Sequence, residues 1–216
     1  MSTIVLVVGK NGAGKGTLLD KFMNGREEEY QILAMSGLLT KVRETDPELW
    51  AKIDAIMKAG ELVPDDIILK IVSKELNSAT KTVICDGFPR NLAQAKAMIN
   101  AGHVPAAVIE VYLEDEQVIQ RAGLRRVCSK CRKSYTVAGG HNPPKQDGIC
   151  DDCGSPLVKR PDDEEEVVRK RLNQYEQQTY PVIEFFENAG AITFEVDNSR
   201  DGSAAQIEFE EILDLF

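Results

Sequence analysis

The sequence predicts an α/β fold: a mostly parallel five-stranded sheet flanked by helices, with a helical insertion and a small cysteine-bearing arm. Three observations point there. Short runs of branched apolar residues alternate with stretches of helical periodicity, the pattern of strand–helix–strand units. The first run leads into a glycine-rich loop carrying a lysine. Later, two Cys-x-x-Cys pairs interrupt the alternation.

Residues 4–8, Ile-Val-Leu-Val-Val, have the composition of a strand buried on both faces. Gly9-Lys10-Asn11-Gly12-Ala13-Gly14-Lys15-Gly16-Thr17 follows, and Leu18 to Met23 reads as a helix. Strand, glycine loop, lysine and helix together form a phosphate cradle. Glycines let successive backbone N–H groups turn toward an anion. The helix N-terminus adds partial positive charge, and Lys15 adds a mobile full charge. Serine or threonine usually stands directly after the lysine; here that place holds Gly16, with Thr17 next.

A short second strand is expected at 32–34. Leu38 begins a helix, Asp46-Pro47 interrupts it, and Leu49, Ile53, Ile56 and Met57 share one face of the next, which Gly60 ends. Pro64-Asp65-Asp66 reads as a cap before a helix bearing Ile67, Ile68, Ile71, Val72 and Leu76. Residues 36–66 thus read as a helical insertion outside the sheet. Strands are expected at 82–85, 107–113 and 192–196. Helices are expected at 91–101, from Asp115 to about Arg125, and at 204–215. A long helix from Asp162 to about Asn188 should be kinked by Pro181. Residues 127–160 hold four cysteines and three prolines with few apolar side chains, so this arm needs a staple. The core is then 1–35, 67–126 and 161–216. A ligand crevice is expected at the carboxyl ends of the strands, where Gly9, Asp86 and Arg90 fall.

The chain has 216 residues, 43% of them hydrophobic, and a formal charge of -9. That size allows one large core with small insertions, and the acidity argues against nucleic acid as the main partner. No basic, apolar leader and no 18-residue apolar run is seen, so neither a membrane nor export is expected, and the cytoplasm is the default.

Asp86, just past an apolar strand beside a phosphate loop, is placed to serve Mg2+ bound with a nucleotide. Arg121 and Arg125, four apart, are expected to share a helix face. Arg160 and Arg171, eleven apart, would nearly align on continuous helix. Residues 121–160 hold nine Lys or Arg against three Asp or Glu, so the arm is basic within an acidic chain. Converging arginines imply an anion, and phosphate is the natural one. Cys128, Cys131, Cys150 and Cys153 have zinc-site spacing, and four thiolates leave no open position, so the site reads as structural Zn2+. A disulfide pair or an iron centre remains the alternative. His141 reads as loop surface, and Cys85 as inert core. Lys130, Arg132 and Lys133 beside the cysteines leave open a nucleotide-gated zinc ribbon that binds nucleic acid.

These motifs, in this order, resemble the adenylate kinases of the long form with a metal-bearing lid, end to end. Residues 9–17 are similar to the family loop Gly-x-Pro-Gly-x-Gly-Lys-Gly-Thr; Asn11 stands for its proline, and Gly16 is explained. Asp86-Gly87-Phe88-Pro89-Arg90 matches the family's most characteristic motif, and Arg160-Pro161-Asp162-Asp163 has its Arg-x-Asp-Asp form. The resemblance implies a phosphate-loop nucleoside monophosphate kinase fold, with 36–66 binding monophosphate and 127–160 acting as lid. It implies the reaction of ATP and AMP to two ADP, dependent on Mg2+, in a monomer. It assigns ATP to Gly12, Ala13, Gly14, Lys15, Gly16, Thr17, Arg121, Arg125 and Arg200. It assigns AMP to Ser36, Gly37, Lys41, Val63, Gly87, Arg90, Gln94, Arg160 and Arg171. Catalysis falls to Lys15, Asp86, Arg90, Arg125, Arg160 and Arg171. Glu61-Leu62-Val63 resembles a segment lining the adenine pocket, and Asp197 to Arg200 resembles, weakly, one near the ATP adenine. Lys41 stands where the family has arginine and cannot make its two-point fork. A monophosphate kinase preferring another base is the alternative within the class.

Overall fold

The computed structural model describes residues 2–58, 63–131, 133–137, 142–160, 163–199 and 202–216; side chains at 36, 40, 57, 58 and 202 also lie outside the description. The readings of Ser36's side chain, the Met57 side chain, Gly60, Glu61, Leu62, Arg132, His141, Pro161, Asp162 and Arg200 therefore fall outside the described residues.

Five strands form one parallel sheet: β1 (Ile4–Val8), β2 (Tyr30–Ala34), β3 (Thr82–Asp86), β4 (Ala107–Tyr112) and β8 (Ile192–Asp197), in the order β2-β3-β1-β4-β8. Every neighbouring pair is parallel, and β1 lies between strands reached by connections running opposite ways. That is the switch point at which α/β sheets bind ligands. The registers Val7↔Asp86, Ala34↔Asp86, Val8↔Glu110 and Tyr112↔Asp197 bring the strand ends into one edge.

Successive side chains of β1 go to opposite cores. Ile4, Leu6 and Val8 join one apolar cluster, and Val5 and Val7 the other. The first cluster takes in α2 (Met35–Thr45), α3 (Pro47–Lys58), α4 (Asp65–Ser78), α5 (Leu92–Asn100) and α8 (Tyr180–Asn188). The second takes in α1 (Lys15–Phe22), α6 (Asp115–Leu124), α7 (Glu165–Gln174) and α9 (Gly202–Leu213). A sheet covered on both faces explains strands that read as continuous apolar runs.

The structure corrects three expectations. First, the long helix is two helices joined by a π-helical segment, Tyr175–Thr179, in which the N–H of Tyr180 donates to the carbonyl of Tyr175. Pro181 follows directly, and its ring cannot sit against a tight preceding turn. The break lets Val168 and Leu172 pack on one face of the sheet while Val182 and Phe186 pack on the other. Second, α7 starts at Glu165, so Arg160 precedes the helix and does not align with Arg171 along it. Third, α6 ends at Leu124, and Arg125 has extended backbone (φ -70°, ψ 138°) as the first residue of β5 (Arg125–Cys128). Arg121 and Arg125 therefore do not share a helix face. β5 pairs antiparallel with β6 (Ser134–Thr136) and β7 (Leu157–Val158), making a small second sheet that the sequence did not announce.

Candidate active site

The glycine loop crosses the carboxyl edge of the sheet between β1 and α1. At Gly9 the backbone passes so near β4 that a Cβ would stand 2.5 Å from the Val111 carbonyl oxygen. Gly14 has φ +101°, and a Cβ there would strike the Asn198 amide. That amide donates to the Ala13 carbonyl at 2.6 Å, holding the loop against the end of β8. No side chain caps α1, so its first N–H groups open toward the crevice beside exposed Gly16 and Thr17.

Lys15 reaches back across this loop. Its Nζ donates to the carbonyls of Gly9 (2.6 Å) and Lys10 (3.1 Å). Burial lowers its pKa to about 8; Asp86 opposes the shift, while Arg90 and Arg125 reinforce it. Four predicted site residues thus act on one another electrostatically. Arg90 donates from Nε to the Gly87 carbonyl at 2.8 Å. Although exposed at the crevice mouth, its guanidinium is pushed below its usual pKa by surrounding protein, against the pull of Asp86 and with the repulsion of Arg171. Asn11 at the loop tip lines a small hollow with Arg125 and Arg171.

Arg125 donates to Asp163 through both Nε (2.9 Å) and Nη2. Asp163 is fully buried and was given no role from sequence; the acidic start of the long helix hid it. Arg121 donates to the Asn198 carbonyl at 2.8 Å, and burial lowers its pKa. Arg160 precedes α7, where its carbonyl accepts from the Asp163 N–H at 3.1 Å.

Gln94 is buried. Its oxygen accepts from the Arg90 N–H (2.7 Å), and its amide donates to Asp65 (2.6 Å). Gly37 is exposed in α2, and Val63 precedes α4. Lys41 is turned onto α4, with its Nζ 2.7 Å from Glu75, at a cleft floored by Leu38, Val42 and Ile71. The structure thus seats Lys15, Asp86, Arg90, Arg125 and Arg171 around one crevice, whereas Lys41 is engaged by Glu75.

The four cysteines of the arm lie together, their sulfur atoms within 4.8 Å of one another. Cys128–Cys153 is 3.4 Å, Cys131–Cys150 3.5 Å and Cys131–Cys153 3.7 Å. All are free thiols, so the disulfide alternative fails. A tetrahedral ion with metal–sulfur bonds of about 2.3 Å needs sulfur separations of about 3.8 Å, and these residues fit it. The N–H groups of Lys130 and Cys131 point at the Cys128 sulfur, both at 3.4 Å, and the Tyr135 hydroxyl lies 3.3 Å from that of Cys150. Such contacts orient ligands and spread thiolate charge. Cys85, by contrast, lies inside β3, where burial pushes its thiol up to about 12.

A phosphate loop at the switch point of a parallel sheet, faced by arginines from three later segments, defines a nucleotide-dependent phosphotransferase of the nucleoside monophosphate kinase fold. The chain belongs to the adenylate kinase family: the model of that family, described as Adenylate kinase, matches residues 7–191. It is 36% identical over 218 residues to an adenylate kinase of Archaeoglobus fulgidus, covering 97% of each chain. It is 37% identical over 203 residues to one from Thermosipho africanus, covering 91% of this chain and 92% of the other. It is 36% identical over 194 residues to one from Caldicellulosiruptor saccharolyticus, covering 87% and 88%. Among the described residues no helix is long and apolar enough to cross a membrane.

Proposed function

We propose that the chain is an adenylate kinase that moves the γ-phosphoryl group of ATP to AMP, giving two ADP. The observation that carries this is the mutual field of Lys15, Asp86, Arg90 and Arg125 at one strand edge. Burial lowers the Lys15 pKa there, with Arg90 and Arg125 adding to the shift against Asp86, and a lysine so perturbed in a glycine loop suits a polyphosphate site.

An oxygen of the AMP phosphate attacks the γ-phosphorus in line; the bond to the β–γ bridging oxygen breaks, and ADP leaves with its electrons. That oxygen is already anionic, so no base is needed. The loop N–H groups and Lys15 hold the β and γ phosphates. On binding, Lys15 exchanges the Gly9 and Lys10 carbonyls for phosphate oxygens. Arg90 grips the AMP phosphate, while Arg125, Arg160 and Arg171 balance charge in the transition state. Mg2+ arriving with ATP would supply further charge neutralisation, and the Asp86 carboxylate is a hard donor that fits it. Residues 36–66 form the monophosphate arm. Residues 127–160 close over the phosphates and keep water from competing as nucleophile. Cys128, Cys131, Cys150 and Cys153 would hold a structural Zn2+, which would staple that lid. The enzyme works as a monomer in the cytoplasm.

Initial rates with ATP and each of AMP, GMP, CMP and UMP test the base preference. AMP should exceed the others at least about tenfold in kcat/KM, on the scale of a lost hydrogen bond. A faster rate with another base would move the enzyme elsewhere in its class.

A further inference from the structure

Lys10 is a lysine inside the phosphate loop that takes no part in the scheme above. It is buried, and its side chain reaches the end of β4, the start of α6 and the π-helical segment. Its Nζ lies 2.6 Å from Asp115 Oδ1 and 3.6 Å from Glu176 Oε1, donates to the Leu113 carbonyl at 3.3 Å, and sits 5.5 Å from the centre of the Tyr112 ring. Buried lysine is unfavourable unless paired, and this one is paired on every side. Its partners come from the start of α6 and from the π-helical segment. That segment is itself tied down: the Tyr175 hydroxyl donates to Glu110 of β4 at 2.8 Å, and Thr179 donates to the carbonyl of Arg90 at 2.8 Å. Meanwhile the Lys10 carbonyl accepts from Lys15 Nζ and, at 3.0 Å, from the Ala13 N–H.

We propose that Lys10 is a positioning residue, whose ion pairs fix the phosphate loop for ATP and lock it to the π-helical segment between the two substrate sides. The physical need is visible in the next residue. Asn11 leaves φ free where a proline ring would fix it, so the loop requires another restraint. Lys10 supplies it through Asp115, half exposed, and Glu176. The inference rests on ATP binding at this loop.

Steady-state kinetics on Lys10→Met, Asp115→Asn and the double variant test it, with Lys15→Met as control. A looser loop lowers the competent fraction for ATP alone. Lys10→Met should raise KM for ATP about tenfold and leave KM for AMP within twofold and kcat within about threefold. Asp115→Asn, a mild change at a half-exposed position, should shift KM for ATP the same way. The double variant should be no worse than Lys10→Met, because both remove one interaction. Unchanged KM values with only a lower Tm, equal rises for both nucleotides, or effects that multiply in the double variant would overturn the proposal. If Lys15→Met also retained full turnover, the loop assignment itself would fall instead.

Discussion

Arg125 and Asp163 are joined at two points, the guanidinium fork of one closing on the fully buried carboxylate of the other. The pair links the first residue of β5 to the turn before α7, and so sets where Arg125 stands. Truncating Arg125 strands a buried charge, whereas truncating both does not. Arg125→Ala is expected to destabilise by about 3 kcal/mol. Arg125→Ala with Asp163→Asn should recover at least about 1 kcal/mol of that. Urea unfolding of the parent, Arg125→Ala, Asp163→Asn and the double variant measures this; losses that simply add would show that the two residues do not form a unit.

The depressed Lys15 gives a pH signature. Its folded pKa is about 8, against 10.5 for the free side chain. Between these values the unfolded chain binds the extra proton, so this group makes the ligand-free protein gain stability as pH rises through the window. Binding behaves the opposite way, since neutral Lys15 cannot hold phosphate. The profile of kcat/KM for ATP should fall above about pH 8, while kcat at saturating ATP should hold to higher pH because bound phosphate restores the charge. A kcat/KM profile flat from pH 7 to 10 would contradict this placement of Lys15.

Much of the site was legible because phosphate chemistry leaves a linear record. The loop, Asp86 and Arg90 each end or follow an apolar strand, and one strand edge collects them. What stayed hidden depends on partners distant in sequence. The apolar periodicity runs on through 165–188, so the π-helical break shows only once α7 and α8 are seen on opposite faces. Arg125 was read as helical because nothing local stops α6; pairing with β6 and β7 ends it. The role of Lys10 is hidden in the sequence because its ion-pair partners lie more than a hundred positions away.

Lys41 is held by Glu75 on α4, not by a crevice group. If it also serves the AMP phosphate, it must leave that carboxylate, and a guanidinium could hold both. Lys41→Arg should therefore bind AMP about 3- to 10-fold more tightly and leave ATP nearly unchanged. Titration calorimetry with each nucleotide measures it; equal changes, or none, would place Lys41 outside the monophosphate site.

Among the described residues the buried cluster of the cysteine-bearing arm is small: Cys128, Tyr135 and Cys150, with Leu157 against them. Metal binding then serves as local folding energy. Cys128→Ser with Cys131→Ser should abolish stoichiometric Zn2+ and lower the lid's melting temperature. Lys15, Asp86 and Arg90 lie outside the lid, so activity well below that temperature should survive, reduced only as far as Arg125 and Arg160 are misplaced. Metal analysis, thermal unfolding and rates on one preparation decide it. Full metal content would refute the ligands, and complete loss of activity in a folded lid would give the metal more than a structural role.

The most direct measurement is phosphorus NMR of ATP and AMP with Mg2+ and enzyme, run in parallel with Lys15→Met. Two ADP should form for each ATP and AMP consumed, with no inorganic phosphate, and Lys15→Met should slow this at least about 100-fold. Release of inorganic phosphate without ADP gain from AMP, or a Lys15→Met rate within tenfold of the parent, would contradict phosphoryl transfer at this loop.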